Sequence, residues 1–408
     1  MSETSAANQM SVLGQASATA PALEAWPEVP APDEGRATGG PGRGRRGGRQ
    51  SGETITNTSR NAVSFREYFK YKELFINLTL RETRSKYKRS VIGWGWSMIN
   101  PLANMAVYTI VFSLLFGISA PEGLPSHLNS YALMYLSAML PFVMWQGSIM
   151  ESMSAILGNQ NLIQKTWFPR ELIPAATVAA KLVSHVIEMA LVLTVIVAVG
   201  NWRALEFLPG IILTMAFITV FALGMSLLFS ISNAFWRDIQ HFSNILFFIW
   251  MFLTPVAYPY YILGGGLDGS PSKGVGVLIA AKHHLFGHNL GSIFKLNPMT
   301  DAVLTMQSFI YDGSLPGTVH KVLFPVLGPT GAPLASSAAQ FAAAAQGTVK
   351  AEAVAGFSCS VVSKGVACLV PSNVSWFDVA YFVAWALAVF VIGLWVFRKY
   401  EARLPEEL

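Results

Sequence analysis

Residues 81–117 read RETRSKYKRSVIGWGWSMINPLANMAVYTIVFSLLFG. Five positive charges, Arg81, Arg84, Lys86, Lys88 and Arg89, crowd into the first nine positions, and no charged residue follows until Glu122. Residues 94–117 are therefore an apolar run close to the ~20 residues that cross a bilayer core. Gly93–Trp96 puts a Gly-Trp break before it, and Asn100-Pro101 puts a kink inside it, since proline removes a helix hydrogen bond. A basic stretch abutting a membrane-length apolar run is the signature of a membrane protein with that stretch on the cytoplasmic side.

The rest of the chain agrees. It has 408 residues, 52% hydrophobic and 12% charged, with mean hydropathy +0.44. A soluble domain carries charge on about 25% of its residues, so an ordinary cytosolic enzyme is excluded. Apolar runs at about 94–117, 131–150, 173–199, 205–232, 242–263 and 376–397 predict six spans. Trp94, Trp96, Tyr131, Trp145, Trp202, Trp376 and Trp395 sit near their ends, where amphipathic rings prefer the headgroup region. The net charge is +5, and 14 of the 28 Lys and Arg precede residue 91. With the N-terminus inside, Lys165, Arg170, Arg237, Arg398, Lys399 and Arg403 are also cytoplasmic, and the short outer loops 118–130 and 200–204 hold only Arg203. Both termini are thus expected in the cytoplasm.

Upstream, residues 1–60 have almost no large apolar side chains and read as a disordered cytoplasmic tail. They contain no apolar core of a secretory signal peptide. Arg43, Arg45 and Arg46 lie in a Gly-rich run. Such runs bind nucleic acid in some proteins, but attraction to anionic headgroups is the simpler reading, so no nucleic-acid partner is expected. Residues 61–90 form the next unit. Phe65, Tyr68, Phe69, Tyr71, Leu74, Phe75 and Leu78 recur at spacings of three and four between charged positions, which predicts an amphipathic helix lying in the membrane interface.

Residues 91–263 hold spans one to five and include an inner segment at 151–171. Residues 264–312, with short apolar pieces at 275–281 and 285–294 and a helix opened by Pro298, read as half-inserted external helices packed against protein. Residues 313–375 read as an extracytoplasmic insertion, and 376–408 as the sixth span and a cytoplasmic tail. Cys359 and Cys368 fall in the insertion. An outer-face disulfide is permitted there, and a pair of free thiols is the alternative.

Several blocks resemble the membrane permease subunit of type-2 ABC exporters of bacterial polysaccharides, the group that carries O-antigen, teichoic acid, capsule and cell-wall galactan. The first block is the basic helix with Tyr87–Ser90, Gly93, Trp96 and Asn100-Pro101. The second is LIQKTWFPRELIP at 162–174, and the third is NAFWRDIQHFSNILFFIWMFLTPVAYP at 233–259. Asn297-Pro298 falls where that family places its re-entrant helices. The tail 1–60 and the insertion 313–375 depart from the family's usual pattern. The resemblance implies an all-α integral membrane protein of six spans, preceded by an interface helix and with re-entrant external helices between spans five and six. It also implies a partnership with a second copy and with two ABC ATPase subunits, moving a lipid-linked polysaccharide across the inner membrane. A drug or small-lipid exporter permease of the same fold is the alternative. No G-x-x-x-x-G-K-[ST] phosphate loop occurs in the chain, so ATP and Mg are expected on the partner subunit and no cofactor on this one.

Four groups of residues are candidates for function. Arg81, Arg84, Lys86, Lys88 and Arg89 are suited to hold a lipid pyrophosphate at the entrance. Lys165, Trp167, Phe168, Arg170 and Glu171 are expected, on the resemblance, to couple to the ATPase, with Trp167 and Phe168 as apolar anchors. Trp94, Trp96, Tyr108, Phe112, Phe247, Phe248 and Trp250 are candidates for a glycan path, although packing aromatics are commoner in spans. Lys181, His185 and Glu188 share one face of span three. Either they contact substrate, or His185 pairs with Glu188 while Lys181 reaches for the cytoplasmic interface. Asp238 and Glu151 show no paired carboxylate, no metal-ligand set is evident, and no catalytic constellation supports the third possibility, a membrane glycosyltransferase.

Overall fold

The first apolar run begins as a helix at Gly95, immediately after Gly93 takes up a left-handed conformation (φ 56°). The computed structural model describes residues 71–88, 92–93, 95–166, 168–264, 266–268, 277–279, 284–285, 288–324, 358–362 and 365–404. Five helices in it are long and apolar enough to cross a membrane: Gly95–Leu115, Tyr131–Gly158, Leu172–Ala198, Leu208–Phe235 and Trp376–Arg403. The interface helix, α1, runs Lys72–Tyr87. In the first span, α2 (Gly95–Tyr108) contains Pro101 and continues as a π-helical stretch, Thr109–Leu115.

The second span, α3 (Tyr131–Gly158), is longer than the apolar run that announces it, because Glu151 and Ser152 remain helical beyond Met150. A short helix, α4 (Gln160–Lys165), follows. Then come α5 (Leu172–Ala198), α6 (Leu208–Phe235) and the final span, α11 (Trp376–Tyr400). Ser375 opens α11 with a capping box: its side chain accepts from the Asp378 backbone, and Asp378 reaches back to the Ser375 N–H. Such reciprocal caps satisfy two otherwise orphaned donors.

The expected fifth span at 242–263 is corrected. The helix there, α7 (Ile239–Phe252), has 14 residues, about 21 Å at 1.5 Å per residue against a core of about 30 Å. Thr254-Pro255 ends it, because proline supplies no N–H to continue the ladder. The freed backbone is met from outside the helix. Asn297 donates from Nδ2 to the Leu253 carbonyl at 3.3 Å and to Thr254 Oγ1 at 2.9 Å. Its Oδ1 accepts from Trp250 Nε1 at 3.0 Å and from the Met299 amide at 3.1 Å, capping α10 (Pro298–Gln307). One asparagine thus ties the broken end of α7 to the buried outer helix.

The outer segment also departs from expectation in kind. Within 275–281 the described residues form a strand: Val277–Ile279 pairs antiparallel with Gly266–Asp268, and His284–Leu285 pairs with His288–Asn289. Gly flanks and β-branched residues favour strand there. Among the described residues the region's helices are α8 (Tyr261–Gly264) at its start, α9 (Leu290–Phe294), α10 and the π-helical stretch Ser308–Asp312. The insertion contributes a three-stranded antiparallel sheet in the order Val319–Phe324, Gly365–Pro371, Ser358–Val362. Its register sets Cys359 opposite Cys368, and their side chains lie outside the described residues, as do residues 1–70.

Two features hold the bundle. Trp145 is fully buried between Phe221, Phe247 and Trp250, at ring distances of 5.6, 5.3 and 5.0 Å. The helices α6 and α11 cross on glycine. A methyl group on Gly224 would lie 2.6 Å from the Phe390 backbone nitrogen, and one on Gly393 would overlap the Gly224 carbonyl. Small residues let membrane helices approach closely, where packing rather than water drives association.

Asp301 on α10 is 1% exposed, and neither carboxylate oxygen has a hydrogen-bond partner among the described residues, while Lys295 bonds to Asp378 at 2.7 Å.

The glycine crossing carries a direct consequence for stability. Gly224→Val and Gly393→Val should each lower the thermal midpoint, since backbone cannot move aside and overpacking costs about 1–3 kcal/mol. Gly158→Ala, which meets nothing within 4 Å, should leave the midpoint unchanged or raise it; thermal unfolding in detergent reads all three.

Candidate functional site

The interface helix meets the spans at its basic end. Lys86, on the last turn of α1, places Nζ 2.5 Å from Glu151 Oε2. The other oxygen of the same carboxylate, Oε1, lies 3.5 Å from Lys181 Nζ on α5. Lys181 reaches it across Gly147, one turn before Glu151 on α3. A methyl group at Gly147 would stand 2.7 Å from Lys181 Cε. The bare glycine is thus what lets the lysine cross.

These groups line a cavity of about 210 Å³, together with Trp96, Ser97, Asn100 and Pro101 of α2, Val143 of α3, and Ser184 and Glu188 of α5. Three sets that the sequence separates are brought together: the entrance cluster through Lys86, the path aromatics through Trp96, and the span-three face through Lys181 and Glu188. Trp96 is 46% exposed, so its ring is free to take a ligand. His185 lies 3.8 Å from Glu188, the internal pairing weighed above, while Lys181 ends on Glu151 rather than at the interface. Glu151, which has no paired carboxylate in the sequence, is the centre of the cluster. The signal that could have found it is its spacing of four from Gly147 together with its position at the end of an apolar run.

The remaining entrance residues divide. Arg81 donates to Asn159 Oδ1 at the start of α4. Arg84 and Lys88 are exposed, and Arg89 lies outside the described residues, as does Trp94. Among the other path aromatics, Tyr108 and Phe112 stack at 5.7 Å and continue onto Tyr135 (4.8 Å from Tyr108) and Tyr131 (6.5 Å from Phe112). Phe247 is 0% exposed and packs on Trp145, so it cannot touch a ligand. Phe248 is 62% exposed on the outer surface of α7, edge-on to Phe252, and Trp250 is committed to Trp145 and Asn297.

The inner segment is held from within the chain. Phe168 is 4% exposed, in a cluster with Ile163, Leu227, Ile231 and Phe397, onto which Leu74 and Phe75 of α1 also pack. A side chain so buried cannot anchor a partner, which corrects its expected role. Arg170 donates to the Glu401 carbonyl, and Glu171 Oε1 accepts from Arg398 Nε at 3.4 Å, so both bind the end of α11. Lys165 is exposed, and Trp167 lies outside the described residues. The arrangement can receive an anionic or hydroxyl-rich group beside Trp96, and it joins that receptor to the inner segment. Among the described residues no three His, Cys, Asp or Glu side chains converge to hold a metal.

Residues 73–265 match the family model described as ABC-2 type transporter. The chain is 26% identical over 251 residues to the O-antigen export system permease protein RfbA of Myxococcus xanthus, covering 62% of this chain and 85% of the relative. It is 26% identical over 186 residues, 46% of this chain and 69% of the relative, to a protein of the same name from Klebsiella pneumoniae. It is also 22% identical over 185 residues to the polysialic acid transport protein KpsM of Escherichia coli, covering 45% and 69% respectively.

Arg81 and Asn159 fasten the interface helix to the inner segment. Arg81→Ala should therefore speed amide hydrogen exchange across residues 72–87 in the purified protein, leaving exchange in α6 and α11 at the wild-type rate.

Proposed function

We propose that this chain, whose residues 73–265 place it in the ABC-2 type transporter family, is the membrane permease of an ATP-driven exporter of a lipid-linked cell-surface polysaccharide. It is a multi-pass membrane protein with five helices of spanning length. The observation that carries the substrate reading is the cavity where Lys86, Glu151, Lys181 and Trp96 converge. It offers cations for a phosphate and an indole face for a sugar ring, and exposed Arg84 and Lys88 flank Lys86 along the chain. The relatives' names, O-antigen export permease and polysialic acid transport protein, support the same class of cargo.

In this reading α7 and the outer helix α10 together make the fifth crossing, with α10 re-entering from outside. That geometry is supported by the capping of Leu253 by Asn297, since backbone at membrane depth must be satisfied by protein. Both termini lie in the cytoplasm of a cell whose inner membrane holds the protein, as the distribution of Lys and Arg favours. Two copies build one path, and two ABC ATPase subunits bind ATP and Mg and supply the energy. The exposed side of α4, with Lys165, is the docking surface. Phe168, Arg170 and Glu171 act behind it, passing its movement to α1 and α11.

Deleting this chain's gene should leave lipid-linked glycan inside the cell, and restoring it should clear the glycan to the surface. An ABC ATPase should co-purify with the tagged chain. Normal surface glycan in the deletion strain would contradict the proposal.

A further inference from the structure

We infer that Glu151 is an internal counter-ion occupying a phosphate site, and that the anionic headgroup of a lipid-linked ligand binds Lys86 and Lys181 by displacing it. The inference rests on the permease reading and deepens it.

The geometry is that of a single anion held between two cations. Each oxygen of the Glu151 carboxylate faces a different ammonium, Lys86 at 2.5 Å and Lys181 at 3.5 Å. A phosphate or pyrophosphate group presents the same spread of oxygens with equal or greater charge. Lysine meets phosphate as a point charge that re-aims easily, so neither side chain needs rebuilding to exchange partners. All three side chains line the cavity and remain between 20% and 32% exposed, open to an incoming ligand. Glu188, the other acid lining the cavity, has His185 beside it. With Glu151 withdrawn, the two lysines present a net positive site.

What lies around that site suits the group next to such a phosphate. Asn100 and the exposed indole of Trp96 share the cavity; an amide answers sugar hydroxyls, and an aromatic face covers a sugar ring's apolar side. Glu151 is also placed to report its own displacement. It lies two turns before Asn159, which holds Arg81 and opens the inner helix α4. A carboxylate leaving its lysines loosens α1 from α3 at the point where the ATPase-facing segment begins.

The test uses the purified permease–ATPase complex, with farnesyl pyrophosphate and inorganic pyrophosphate as probes, and reads dissociation constants by filter binding. Glu151→Gln should bind farnesyl pyrophosphate roughly fivefold or more tightly than wild type, as expected when one of two competing occupants is removed. Glu151→Asp, which retracts the carboxylate while keeping its charge, should shift affinity in the same direction and serves if Glu151→Gln does not fold. Lys86→Gln and Lys181→Gln should weaken binding, and Glu151→Gln should give no gain on the Lys181→Gln background. Unchanged or weaker binding in both Glu151 variants would overturn the inference, leaving the three residues a structural bridge. Inorganic pyrophosphate binding as tightly as the farnesyl compound would overturn the lipid-linked assignment. Clearance of glycan in cells carrying each variant is scored separately. Normal clearance with unshifted affinity rejects only the counter-ion role, whereas loss of the permease reading requires the deletion strain itself to export normally.

Discussion

One carboxylate balances two ammonium groups where α1 meets α3 and α5, and the elements around it are arranged by that constraint. Ionisable groups on membrane-spanning helices are costly unless paired. Lys86 arrives from the interface helix, Lys181 from the third span and Glu151 from the second. Three elements distant in sequence are thereby required to meet. Gly147 is bare because Lys181 must cross it, and the second span stays helical through Glu151 because the carboxylate must be held at a fixed depth. Below this junction, Arg81 and Asn159 carry the same connection to the inner segment, where Phe168, Glu171 and Arg398 continue it to the last span.

The outer half obeys a different requirement, the satisfaction of backbone left open by a broken helix. Thr254-Pro255 stops the fifth apolar run well short of a full crossing. Asn297 then serves as cap for the outer helix and partner for the broken end at once. Tyr311, just past that helix, donates toward the Pro121 and Leu128 carbonyls and so fastens the short outer loop to it. Trp145, Phe221 and Phe247 pack α3, α6 and α7 together in the core.

Much of this was legible in the sequence, because apolar runs and basic flanks report a bilayer directly. The positions of four long spans and the last one, the interface helix and the Gly93 break all follow from such patterns. The fifth crossing was not, since hydropathy continues through Pro255 while the backbone cannot, and only the position of Asn297 in space shows what replaces the missing ladder. Strand pairing at Val277–Ile279 was likewise hidden, a short apolar run having no period to separate helix from strand. Within the site, charge was legible and pairing was not. Lys86, Lys181 and Trp96 were singled out by type, yet Glu151 acquires its importance only from partners 65 and 30 residues away. Phe168 looked like a surface anchor because it neighbours a cytoplasmic Pro-Arg-Glu turn; burial against Phe397 could not be read from local sequence.

In the proposed exporter the interface helix and the inner segment move as one body, joined through Arg81 and Asn159. The most direct measurement is the distance between spin labels at the exposed positions Ile76 and Gln160 in the complete exporter, with and without trapped ATP. A second pair, Ile76 and Val391 on the last span, serves as the moving reference. The account predicts that the first distance is the same in both states while the second changes. A shift of the first distance by roughly 5 Å or more, about one helical turn, would contradict it.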